Sequence, residues 1–307
     1  VNVPERLARA IAFTDRYRID REIGAGGMAT VYRAHDLRHD RPVAIKVLRE
    51  EISGSLGAER FHREIRILAA LQHPHIVALY DSGESDGLLW YVMPFIDGAT
   101  LRHRLEREGE LPIDLAVRLL RDVADALAAA HQHGIVHRDL KPENIMLSGR
   151  HALVADFGVA RALSEAAESR VTTSGIALGT PTYMSPEQAT ADLHVDHRAD
   201  IYAFGVVAYE LLCGSPPFDQ LGPREMLAAH VMAIPQPLTS RRPAVTPVLN
   251  TLVMRCLEKR PSDRWQSAEE LLPLLEAALS PSAGILAVSR ESTLPRIRSY
   301  RGLRLGL

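Results

Sequence analysis

Apolar and polar positions alternate over residues 17–23, and strand-length runs recur over 28–34 and 43–48, with Gly24 to Gly27 punctuating the first two. Over 58–71 the period changes. Phe61, Ile65, Leu68 and Leu71 recur at helical spacing, which predicts one helix before strand-like runs return at 76–80 and 88–93. From Leu111 onward the period is helical, predicting helices over 115–133, 199–213, 224–233, 247–257 and 267–278. The order implies a small β-rich part with a single helix, joined through Met93 to Gly98 to a larger helical part. No internal repeat interrupts it.

Composition narrows the class. The chain has 307 residues, 46% hydrophobic and 24% charged, which suits a globular protein long enough for two lobes or a domain plus an extension. Thirty-six Lys+Arg against 38 Asp+Glu leave a net charge of −2, so no basic field is available for wrapping nucleic acid. Two cysteines, Cys213 and Cys256, cannot build a disulfide framework and point to a reducing compartment. No apolar run approaches the roughly 18 residues of a membrane helix, and the most apolar stretch, Phe204 to Cys213, carries Glu210. Glu5, Arg6 and Arg9 break any signal-sequence pattern, and Val1 fits an alternative start codon or a trimmed chain. The end of the chain holds Arg290, Arg296, Arg298, Arg301 and Arg304 against Glu291. It reads as a solvated linker in preference to a basic arm for an anionic membrane surface or a downstream domain.

Three stretches carry chemistry. Gly24-Ala25-Gly26-Gly27 lies between two predicted strands, where glycines let backbone approach a phosphate closely, although such a hairpin alone is commonly just a tight turn. A strand rather than a helix follows it, so it is no Rossmann fingerprint, and without Gly-Lys-Ser/Thr it is no P-loop. Lys46, inside the apolar run Val43-Ala44-Ile45-Lys46, needs an anionic partner such as Glu64 or a nucleotide phosphate if it is buried. The decisive stretch is His137-Arg138-Asp139-Leu140-Lys141-Pro142-Glu143-Asn144, followed by Asp156-Phe157-Gly158.

With these motifs in order over about residues 17–278, the chain resembles the protein kinase superfamily, specifically the eukaryotic-like Ser/Thr kinases of bacteria. The resemblance implies an α+β bilobal fold. An N-terminal extension (1–16) would precede a kinase domain over 17–278, with an N-lobe to about 93, a hinge at 94–98 and a C-lobe over 99–278. A basic tail would span 279–307. Gly24 and Gly26 match the first two glycines of the phosphate-covering loop, and Ala29 stands where a third would be. Ile23, Ala25, Gly27, Ala44 and Met146 would line the nucleotide site, and Val31 would pack on adenine. Lys46 would hold the α/β-phosphates and pair with Glu64. Asp139 would orient the substrate hydroxyl and accept its proton, and Lys141 would neutralise the transferring phosphoryl. Asn144 and Asp156 would hold Mg²⁺ or Mn²⁺ against ATP. Met93 aligns with the gatekeeper and Pro94-Phe95-Ile96 with the hinge. Pro94 lacks an N–H, but its carbonyl can still accept from adenine while Ile96 donates.

The resemblance extends to substrate and regulation. Lys141 is the Ser/Thr-type catalytic-loop residue, and Gly179 to Glu187 matches the segment that receives a substrate peptide. In it Thr180 would bond Asp139 and Lys141, and Glu187 would pair with Arg264. Asp200 would cap the catalytic-loop backbone. Arg138 would belong to a basic pocket filled by a phosphorylated activation loop, making Thr172, Thr173 and Ser174 candidates for trans-autophosphorylation through self-association. Partners would be proteins bearing Ser/Thr. The kinase domain would be cytoplasmic, with a membrane tether only beyond residue 307. The competing readings are a catalytically weak pseudokinase or nucleotide-binding scaffold, disfavoured by the intact set of polar residues, and a small-molecule phosphotransferase, which needs no peptide-docking segment. His131, His133 and the Asp192-to-His197 cluster read as structural, with Asp196 as a helix cap, and His73-Pro74-His75 as the turn into a strand.

Overall fold

The computed structural model describes residues 15–27, 29–50, 53, 58–85, 87–157 and 181–279. Strands β1 (Tyr17–Ala25), β2 (Ala29–Asp36), β3 (Arg41–Leu48), β4 (Asp81–Ser85) and β5 (Leu88–Pro94) form one antiparallel sheet in the order β1-β2-β3-β5-β4. Strand alternation sorts its two faces. Val43, Ile45 and Val47 of β3 join Leu88, Trp90 and Val92 of β5 in a small core on one side. Ala44, Lys46, Leu89, Tyr91 and Met93 take the opposite parity and face the rest of the molecule. Register pairs Ala44 with Met93 and Lys46 with Tyr91. Helix α1 (Ala58–Ala69) covers this second face with Phe61, Ile65 and Leu68, all buried.

The larger lobe is built on α3 (Ile113–Gln132) and α5 (Arg198–Cys213), with α2 (Leu101–Glu108), α4 (Pro186–Ala189), α6 (Pro223–Met232), α7 (Leu238–Arg241), α8 (Pro247–Cys256) and α9 (Leu272–Leu279) around them. A two-stranded ribbon, β6 (Ile145–Ser148) and β7 (His151–Val154), lies against α3. The lobes meet through Pro94 to Gly98, where a Cβ on Gly98 would come 2.1 Å from the Leu147 carbonyl oxygen. Only glycine lets the connection lie this close to β6. Thr100 then caps α2 by accepting from the His103 N–H. Among the described residues no helix is long and apolar enough to cross a membrane.

The element order agrees with the hydrophobic pattern, with local corrections. Residues 76–80 form no strand: only Ile76 makes an isolated bridge, to Val154, and the strand comes later as Asp81–Ser85. That polar edge strand is held by backbone pairing to β5, which leaves no hydrophobic alternation to read. Residues 267–278 split into a 3₁₀ turn at Ala268–Leu271 and α9. At the start of α5 the cap position falls on His197, and Asp196 instead accepts from the Arg198 N–H at 2.9 Å.

Packing in the larger lobe sets an acid limit. His230 of α6 is 1% exposed, with Nδ1 2.9 Å from the Tyr202 hydroxyl. Burial, reinforced by the nearby Lys259 charge, holds its imidazole down at about 4. An unfolded histidine titrates near 6.5, so between these values the unfolded chain binds the proton and the folded one does not. Stability is therefore retained above pH 6.5 and falls as pH drops towards 4, by about 3 kcal/mol from this residue. Urea denaturation across that range should show the loss, with a shallower slope in His230→Gln. Equal slopes in the two proteins would refute the assignment.

Candidate active site

The strand alternation that buries Val43 and Ile45 turns Lys46 into the interlobe cleft. Its ammonium donates to Asp156 Oδ2 at 2.6 Å, and the Tyr91 hydroxyl donates to Asp156 Oδ1 at 2.8 Å. Burial alone would raise the Asp156 carboxyl. The Lys46 charge reverses this and, with the Tyr91 hydroxyl, holds it below the ordinary carboxylate range. Asp156 itself has a positive φ of 63°, a left-handed conformation uncommon outside glycine, at the exit from β7.

The expected Lys46–Glu64 pair is corrected by this geometry. Glu64 lies beside Arg63 at 3.7 Å, and the lysine's partner is Asp156. The physical reason is that α1 is oriented by its apolar stripe of Phe61, Ile65 and Leu68, not by its acids. Asp156 is the carboxylate the Lys46 ammonium reaches, at 2.6 Å.

Below the cleft, one buried carboxylate organises the loop that carries Asp139. Asp200, in the first turn of α5 and 1% exposed, accepts from the His137 N–H at 2.7 Å, the Arg138 N–H at 2.8 Å and His131 Nε2 at 2.8 Å. Burial opposes its charge, but the His131 bond and charge prevail and keep it ionised below the usual range. These bonds also hold Arg138 at a φ of 67°. His137 is fully buried; its Nε2 lies 2.9 Å from the Ala155 carbonyl and its Nδ1 accepts from the Asp139 N–H at 3.2 Å. One tautomer thus links the Asp139 loop to the strand end beside Asp156. Lys141 donates to Asp139 Oδ2 at 2.7 Å, and Asn144 Nδ2 donates to the Asp139 carbonyl at 2.8 Å.

These groups border one cleft of about 450 Å³. Ile23, Gly24, Ala25, Gly26, Gly27, Val31 and Ala44 form its roof. Met93, Pro94, Ile96 and Met146 also line it, together with Lys46, Asp139, Lys141, Asn144 and Asp156. A Cβ on Gly24 or Gly27 would meet no protein atom within 4 Å, so the open cleft lies against bare backbone there. Thr180, Thr172, Thr173, Ser174 and Gly158 lie outside the described residues.

A second buried node supports the segment after residue 180. Arg264, 0% exposed, makes a two-pronged contact to Glu187 Oε1 and Oε2, both at 2.7 Å. Its remaining N–H groups donate to the carbonyls of Glu258, Arg198 and Lys259, so all five donors are used.

Several contributors were not singled out from the sequence. Val77, Thr100, Glu143 and Ala155 also border the cleft. Tyr91 could have been found, since it shares strand parity with Met93. Glu210, the acid inside the most apolar helix, accepts from Arg102 at 2.7 Å and from the Tyr183 hydroxyl at 2.5 Å. Arg102 also donates to Tyr183. A lone acid in an apolar run signals a buried partner without saying which one.

A five-stranded lobe with a glycine-rich roof, a lysine reaching a deep aspartate, and an Asp-Lys-Asn loop beneath defines a protein kinase. The family model described as "Protein kinase domain" matches residues 17–273, and the chain belongs to that family, which uses ATP with a divalent metal. It is 44% identical over 278 residues to serine/threonine-protein kinase pkn2 of Myxococcus xanthus, covering 88% of this chain and 33% of that protein. It is 43% identical over 264 residues to serine/threonine-protein kinase PknB of Mycolicibacterium smegmatis, covering 84% and 42%. Against PknB of Mycobacterium tuberculosis H37Rv the identity is 42% over 309 residues, covering 92% and 49%. The chain thus spans between a third and a half of the length of these relatives.

Proposed function

We propose that this chain transfers the γ-phosphoryl group of ATP to Ser/Thr hydroxyls of proteins. The observation that carries the reading is the convergence of Lys46, Asp156, Asn144, Asp139 and Lys141 on one cleft. Phosphoryl transfer requires positioning and charge neutralisation more than covalent chemistry. Asp139 accepts the proton of the attacking hydroxyl as its oxygen bonds to phosphorus and the bond to the ADP oxygen breaks. Lys141, already against Asp139, neutralises the phosphoryl oxygens, and Lys46 takes the α/β-phosphates. The Asp156 carboxylate and the Asn144 side-chain carbonyl, whose amide NH₂ is engaged with Asp139, are the hard oxygen donors that suit Mg²⁺ or Mn²⁺. When bound, the metal offsets the charge of the phosphate tail.

Incubation with Mg-ATP and a generic protein substrate should yield phosphoserine or phosphothreonine. Incorporation no greater than that of an Asp156→Asn variant would defeat the reading. The Ser/Thr names of the relatives and Lys141 two residues after Asp139 support the choice of acceptor.

The same reading extends to regulation by trans-autophosphorylation at Thr172, Thr173 or Ser174, with Arg138 receiving the phosphate. Mass spectrometry of active protein after Mg-ATP treatment should find phosphate on that stretch. An active preparation with those three residues unmodified would exclude it.

A further inference from the structure

The geometry points to a divalent zinc site, separate from the nucleotide cleft, formed by His75 Nε2, Asp122 and His151 Nδ1 at the junction of the two lobes. His75 lies in the turn after α1, Asp122 in the middle of α3, and His151 opens β7. One ligand atom from each lies within 4.8 Å of the others.

Hydrogen bonding explains why these atoms call for a cation. His75 Nδ1 is 3.1 Å from the Ala152 carbonyl oxygen, which can only accept, so the ring proton sits on Nδ1. Nε2 then faces Asp122 Oδ1 at 3.5 Å and Asp125 Oδ2 at 3.9 Å. A proton or a metal ion on Nε2 relieves the opposition of its lone pair to these oxygens, and the convergence of a second imidazole on the same carboxylate favours the metal ion. The Nδ1–H···O=C bond is also the support that commonly orients a metal-ligating histidine.

Asp122 is 3% exposed and fixed by the Ala152 N–H, which donates to its Oδ2 at 3.1 Å. His151 Nδ1 lies 3.1 Å from the same oxygen. Its side chain is 69% exposed, so it can release Nδ1 by moving its proton to the other nitrogen without changing charge. His73 is not a ligand: its Nδ1 accepts from the His75 N–H, which leaves its Nε2–H directed at Asp125, 3.5 Å away. Water would complete four-coordination. The competing cation is Arg121, 3.4 Å from Asp122 Oδ1 but 38% exposed and also within 3.6 Å of Glu276.

Two imidazoles and a carboxylate suit zinc, and first-row neighbours such as Co²⁺, better than Mg²⁺ or Ca²⁺, which take oxygen ligands. A bound ion would tie the turn after α1 to α3 and β7. The Val154 N–H already donates to the His75 carbonyl at 2.8 Å, and Asp156 follows two residues later. Zinc would therefore clamp the connection between the helix carrying Glu64 and the strand leading to Asp156.

The test is calorimetric titration of the chain with Zn²⁺ in millimolar Mg²⁺, which occupies oxygen-only sites. One equivalent should bind at micromolar concentration or tighter and raise Tm. Co²⁺ should give the visible absorption of a tetrahedral nitrogen–oxygen site. His151→Ala, on an exposed ring, and His75→Gln should each weaken binding by at least ~10-fold while melting like the parent without zinc. Should His75→Gln fail to fold, His151→Ala alone decides. Zinc binding of equal affinity in His151→Ala, or no saturable binding by the parent chain, would overturn the assignment.

Discussion

Replacing Asp139 by asparagine is expected to lower turnover by roughly 10²–10⁴-fold while leaving Mg-ATP affinity nearly unchanged. The side chain keeps its shape, and Asn144 Nδ2 can still donate to the backbone carbonyl of residue 139, a contact that does not involve the substituted group. What disappears is the carboxylate that Lys141 contacts at 2.7 Å and that, on the proposed reading, takes the hydroxyl proton. On the proposed reading, nucleotide would be gripped elsewhere, by the roof glycines, Lys46 and Asp156. Asp156→Asn should behave oppositely, because it removes the charge that binds Lys46 and the carboxylate oxygens offered to metal, and so it should weaken Mg-ATP binding itself. Calorimetry on the two variants separates the roles. A loss of Mg-ATP binding in Asp139→Asn would contradict the assignment.

The second large effect falls on stability. Glu187→Ala should destabilise the fold by about 3–5 kcal/mol, the cost of leaving a buried guanidinium without its counter-ion. Against a total of about 5–15 kcal/mol, that is a substantial fraction. Arg264 is fully buried and surrounded by the carbonyls of Glu258, Arg198 and Lys259, which cannot replace a negative charge. The Tyr202 ring lies 5.0 Å from the guanidinium, stacked against it. Glu187→Gln, which retains one acceptor and the shape, should lose less. Removing both charges, as Glu187→Leu with Arg264→Met, should recover part of the loss. Urea denaturation gives all three values, and a Glu187→Ala cost below 1 kcal/mol would mean the pair is not the staple its geometry implies.

The resemblance carried by His137 to Asn144 and Asp156 to Gly158 was enough to name the fold, because the chemistry of those residues is local in sequence. The apolar run Val43-Ala44-Ile45-Lys46 likewise foretold that Lys46, if buried, needs an anionic partner. Long-range partners were another matter. Lys46 meets Asp156, 110 residues away, in place of Glu64, because the orientation of α1 is decided by which of its apolar side chains the sheet accepts. Glu210 was visible as an anomaly, yet its partners Arg102 and Tyr183 come from two other segments. His75 was readable only as part of a turn. Its approach to Asp122 and His151 depends on β7 being laid between α3 and that turn.

The chain by itself determined most of the order of strands and helices, a net charge of −2, and the set of polar groups available to the cleft. These follow from periodicity, composition and short motifs, each a property of neighbouring residues. Only the tertiary structure decided which acid meets which base. Such pairing is set by packing across distant segments, where a buried charge settles on whichever partner the apolar contacts bring within reach.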